Sequence, residues 1–133
     1  MAVSRVRIMT FVAAGIVGAF GLPAAAAELE PSNKWRIEVS EGANSDGTIS
    51  FQVTPVGGEP IQVSAPVKNG RGENGVARDI RDAFRATLDE KQFSAETDDG
   101  EDVLVKKRHG APDFGLEFTG STAKSVRIDV EKE

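Results

Sequence analysis

Three clusters in the chain have the residue types and spacing to do chemistry. The first is Gly70-Arg71-Gly72-Glu73-Asn74-Gly75, whose glycines stand at the spacing of a dinucleotide-binding loop. Glycines there let the backbone approach a pyrophosphate at the positive end of a helix, and an acid about 20 residues on takes the ribose, a place that Glu96 would fill. Two features oppose a cofactor. The preceding stretch is short, alternating and bounded by Pro60 and Pro66, and Glu73 sets a carboxylate where phosphate would sit. What remains is a flexible crossover loop, with a small anion held by its amides and Arg71 as the functional alternative.

The second cluster is Glu96, Asp98, Asp99, Glu101 and Asp102, crowded at one hairpin tip. Calcium takes clustered carboxylate oxygens, but Gly100 comes too early for an EF-hand loop and no glutamate stands in the closing position. The plainer reading is a solvated acidic turn that blunts edge pairing. The third cluster is Lys106-Lys107-Arg108-His109. It suits an anionic ligand or partner, or else it is a strand end leaning toward the neighbouring acidic loop. His109 is the only histidine, no serine stands in a Gly-x-Ser-x-Gly elbow, and cysteine is absent. A histidine metal pair, a nucleophile elbow, a thiolate nucleophile and a thiolate zinc site are therefore excluded. No catalytic, cofactor or metal residue is expected, and the candidate contacts are Arg71, Glu73, Asp98, Asp99, Glu101, Lys106, Lys107 and Arg108.

The element that must organise these clusters runs from Asn74 to Glu90. Val76, Ile80, Ala83, Phe84, Thr87 and Leu88 recur at helical spacing on one side, with Arg78, Asp79, Arg81, Asp82, Arg85 and Asp89 on the other. Asn74 is the expected N-cap. Around this helix lie short alternating segments that read as strands: Trp35 to Val39, Ile49 to Val53, Ile61 to Ala65, Phe93 to Ala95, Val103 to Val105, Phe114 to Phe118 and Val126 to Val130. All but Val103 to Val105 show a single apolar face, which favours antiparallel pairing. Prolines at both ends of the third strand suit an edge or a strand terminus. The expected fold is α+β: a curled, mostly antiparallel sheet of about seven strands on one helix, in the order βββ-α-ββββ, forming a small sandwich or half-barrel. Trp35 is expected to fill the core, with a partly exposed contact role as the alternative.

The ends and the charge bound the rest. Arg5 and Arg7, an apolar run from Ile8 to Leu22, and Ala25-Ala26-Ala27 before Glu28 have the layout of a cleavable signal peptide over residues 1–27. The run is shorter than the roughly 20 residues that span a bilayer, so no stable membrane insertion is expected. Residues 28–34 read as a flexible leader and 35–133 as one domain. Of 16 basic residues two leave with the signal, so 14 face 21 acidic ones, a net charge near −7. Such a domain repels nucleic acid and anionic membranes, while a basic protein surface is permitted.

A helix after a glycine-containing loop, then a hairpin and an alternating last strand, resembles small modules of phage-tail and flagellar-hook proteins over Val76 to Val130. The resemblance rests on pattern without a signature residue, and the cleavable signal departs from the export routes of those families. It implies a structural or assembly subunit. The residues themselves point first to an exported, periplasmic or extracellular, non-catalytic domain that binds a protein or a copy of itself, such as an inhibitor or immunity-type protein for an exported enzyme. A small hydrolase ranks third.

Overall fold

The structure is a computed structural model that describes residues 30–133. The expected signal peptide lies outside the described residues. Among the described residues seven strands and one helix follow in the order β1 (Lys34–Glu41), β2 (Gly47–Pro55), β3 (Ile61–Val67), α1 (Glu73–Thr87), β4 (Phe93–Asp98), β5 (Asp102–Lys107), β6 (Phe114–Ser121) and β7 (Arg127–Lys132). The expected leader is tied down at its end: Ser32 and Phe114 exchange backbone hydrogen bonds of 2.9 and 3.0 Å, and β1 begins at Lys34.

The strands divide into two sheets, β4-β5-β1-β7 and β3-β2-β6, antiparallel throughout and not closed into a barrel. Alternation explains which faces meet. Trp35, Ile37 and Val39 of β1, Ile49, Phe51 and Val53 of β2, and Val63, Ala65 and Val67 of β3 are all buried, while the residues between them face outward. β3, which contains Pro66, is an edge strand, where proline costs no central ladder bond.

The helix lies between the sheets on one side. It packs on β3 from the three-stranded sheet and on β4, β1 and β5 from the other, while β6 meets β7 across the opposite edges. Its buried face follows Val76, Ile80, Phe84 and Leu88 and takes in Gly75 and Ala77, which leaves Thr87 exposed at the margin. Phe84 packs at a tilt against Phe51 with ring centroids 5.3 Å apart, and Phe51 in turn meets Phe118 at 5.8 Å. Phe93 and Phe114 meet edge to face at 5.2 Å. Trp35 is core, its indole Nε1 donating to the Phe114 carbonyl at 2.8 Å. Apolar area removed from water here is the main source of stability, worth about 25 cal/mol per Å².

The helix begins earlier than the sequence suggests. Gly72, extended at φ −74° and ψ 176°, is the N-cap and supplies no side-chain bond. Asn74, the expected cap, stands inside the first turn, and its side chain lies against Gly100 at the tip of the β4–β5 hairpin. Tertiary packing outweighs the local capping preference here.

Candidate functional site

The 69–75 loop is braced, not loose. Ala43 N–H donates to the Arg71 carbonyl at 2.8 Å, Gly70 N–H to the Ala43 carbonyl at 2.9 Å, and Asn69 N–H to Asp46 Oδ1 at 2.8 Å. The Arg71 guanidinium makes two bonds to the Asp79 carboxylate, at 3.0 and 2.9 Å, and that carboxylate raises its pKa. The cation that the alternative reading of an anion site calls on is thus already matched within the domain. Glu73 is exposed in the first turn, where its charge favours the positive helix end. Gly70 to Gly75 and Arg78 line a shallow, open depression over these residues.

The acidic hairpin tip is structured by a residue the sequence did not single out. Arg36 projects from the outer face of β1 and binds three carboxylates: Asp102 at 2.6 Å, Asp98 at 3.1 Å and Glu133 at 2.9 Å. The guanidinium pKa is raised, first by Glu133 and then by Asp102, and Arg36 in turn holds the Glu133 carboxyl below its ordinary value. Asp102 is the one buried charged residue among those described. Leu104, directly opposite Arg36 across the strands, shares this outer face and is also buried. Asp99 and Gly100 make the turn with positive φ of 53° and 80°, and the Glu101 backbone carbonyl accepts from Val39 N–H at 3.1 Å.

The register assembles a larger feature. Asp98 pairs with Asp102, Asp102 with Glu38, and Glu38 with Asp129, so four carboxylates form one row straight across β4, β5, β1 and β7. Like charges directly opposite each other destabilise a sheet. Arg36 answers two of the four, and among the described residues neither Glu38 nor Asp129 makes an ion pair. The next row adds Glu96, Leu104, Arg36 and Glu131.

The basic run diverges. Lys106 lies 3.4 Å from Glu96, as expected of a strand end leaning on the acidic hairpin. Lys107 reaches Asp113 at 3.3 Å and the Ala111 carbonyl at 3.0 Å, while Arg108 Nε donates to the Glu90 carbonyl at 2.6 Å. His109 is exposed in the turn after β5. Arg108 and Lys106 border a groove of about 500 Å³ between the end of α1 and β4. Among the described residues no group of histidine and carboxylate side chains has the arrangement of a metal site, and no helix is long and apolar enough to cross a membrane.

Comparison with protein-family models and with curated proteins returns no match.

The structure therefore separates the eight expected contacts. It joins Asp98 to Arg36 and sets Lys106 and Arg108 at the groove, but leaves Arg71 and Glu73 on the brace at the helix start. Asp99, Glu101 and Lys107 stand in turn or strand-end contacts of their own. Sequence reasoning missed Arg36, Glu38, Asp129 and Glu133. Alternation already placed Arg36, Glu38 and Asp129 on wet faces, and only the strand order was lacking to bring them together.

Proposed function

We propose that the mature domain is an exported, non-catalytic binding protein of the inhibitor or immunity type, which meets a basic protein surface with the outer face of β4-β5-β1-β7. The observation that supports this reading is the Asp98–Asp102–Glu38–Asp129 row. A sheet selected for stability alone alternates charges across its strands, whereas this one keeps like charges in register at a cost of roughly 0.2–1 kcal/mol per pair. A cationic partner removes that repulsion on binding, and the complementary fields speed encounter. The net negative charge of the domain acts in the same direction.

The test uses the protein as bait against an extract of the exported fraction, beside the double variant Glu38→Gln/Asp129→Asn. Neither replaced residue is among the three carboxylates that Arg36 binds, so the clamp stays in place. The expected outcome is capture of a basic protein that is released at roughly 1 M salt, where the Debye length falls to about 3 Å, and that the variant fails to retain. Equal capture by both forms defeats the reading. Export itself is checked by the N-terminus of the protein recovered outside the cytoplasm, expected at Glu28.

A further inference from the structure

We infer that the groove between the end of α1 and the free edge of β4 receives an extended peptide segment of a partner, in which aliphatic residues alternate with acidic ones. This goes beyond the acidic face described above and uses different residues.

β4 is the outermost strand of its sheet, so one of its edges is unpaired. Which groups face that edge follows from one bond. Arg108 N–H donates to the Gln92 carbonyl at 2.7 Å, and because antiparallel pairs alternate, Ser94, Glu96 and Asp98 also bond toward β5. Phe93, Ala95 and Thr97 then turn their main-chain groups to the open side. Arg85 agrees with this phase, since its Nε donates to the Ala95 carbonyl at 2.8 Å. Phe93 N–H is taken by the Asp89 carbonyl at 3.0 Å.

The Phe93 carbonyl and the Ala95 N–H, on either side of Ser94, are left facing the groove. A strand lying parallel to β4 uses those two groups with a single residue, donating to Phe93 and accepting from Ala95. Arg85 keeps its bond throughout.

Side-chain chemistry selects the occupant. Phe84, Leu88 and Phe93 give the groove an apolar wall, and the alternate residues of an added strand point to it. The intervening residues meet the rim, where Arg85 and Arg108 bond only to carbonyl oxygens and make no ion pair among the described residues. Of the two rim carboxylates, Glu96 is answered by Lys106 at 3.4 Å, which leaves the single charge of Glu90 to offset two guanidiniums. The rim thus has cationic excess on a domain of net negative charge, which favours glutamate or aspartate in the ligand.

The experiment measures fluorescence anisotropy of a labelled nine-residue peptide of alternating glutamate and valine, titrated with the purified full chain. Saturable binding is expected. N-methylation of the central residue, which deletes the donor to Phe93, should weaken it about tenfold. Arg108→Gln should weaken it several-fold, and a lysine–valine peptide should not bind. Glu38→Gln/Asp129→Asn should leave peptide affinity unchanged, which separates this groove from the acidic face. Absence of saturable binding, equal binding of the lysine peptide, or indifference to N-methylation overturns the inference.

Discussion

Arg36 shows how one side chain ties distant parts of the chain together. Its carboxylate partners Asp98, Asp102 and Glu133 lie 62, 66 and 97 residues along the sequence, so no local pattern could name them. What was legible was narrower: alternation placed Arg36 on the wet face of β1, and the acids at the hairpin were visible as a cluster. Arg36→Ala should leave Asp102 buried without its cation and strip cover from the outer face beside Leu104. Because the network is partly solvated, the expected cost is about 1–3 kcal/mol, below that of breaking a fully buried pair, and urea denaturation measures it. The same network gives a pH signature. Arg36 holds the Glu133 carboxyl below its ordinary value, so the folded chain binds that proton more weakly than the unfolded chain. The stabilisation is complete above the ordinary glutamate value of 4.5 and is lost as pH falls through the lower folded value. In thermal melts from neutral pH downward, the gap between the protein and Glu133→Gln should therefore close in acid. A gap constant with pH would contradict the pairing.

At the scale of the element, the seven strands and the helix were readable because each shows its own period, two for strands and 3.6 for the helix. The start of the helix was not, since its cap is decided by contacts from elsewhere. Two glycines nearby make this testable. A Cβ added to Gly42 meets the Arg71 carbonyl and comes within 3.0 Å of Gly72 Cα, both of them backbone atoms that cannot swing aside. Gly42→Ala should part the β1–β2 turn from the 69–72 loop and lower stability by about 2 kcal/mol. Gly72 differs, since a Cβ there meets nothing and its extended backbone is already that of an N-cap. Gly72→Ser gives the helix the side-chain acceptor it lacks and restricts the unfolded chain, for an expected gain of about 0.5 kcal/mol. Paired denaturation curves of the two variants should move in opposite directions. Stabilisation by both would mean that the loop is not pressed against the β1–β2 turn.

For the whole molecule, the sequence conveys the number and kind of elements but not which strands are neighbours. β1 sits between β5 and β7, partners from the far end of the chain, and the helix packs on β3 of one sheet and β4 of the other. The transverse carboxylate row exists only once this order is set, so a charge total near −7 could suggest an acidic domain without locating the row. The row also implies a conflict between stability and binding. Glu38 and Asp129 oppose each other in register and neither has a cation among the described residues, so neutralising both should stabilise the free domain by about 0.5–1 kcal/mol while removing the proposed contact. Repulsion across solvent is screened, and at roughly 1 M salt, with a Debye length of about 3 Å, most of that gain should vanish. The gain belongs to charge and not to packing only if it follows salt in this way. Melting Glu38→Gln/Asp129→Asn beside the parent protein at low and high ionic strength decides the matter: a benefit that persists unchanged in high salt would assign it to side-chain packing and leave the acidic face without an electrostatic role.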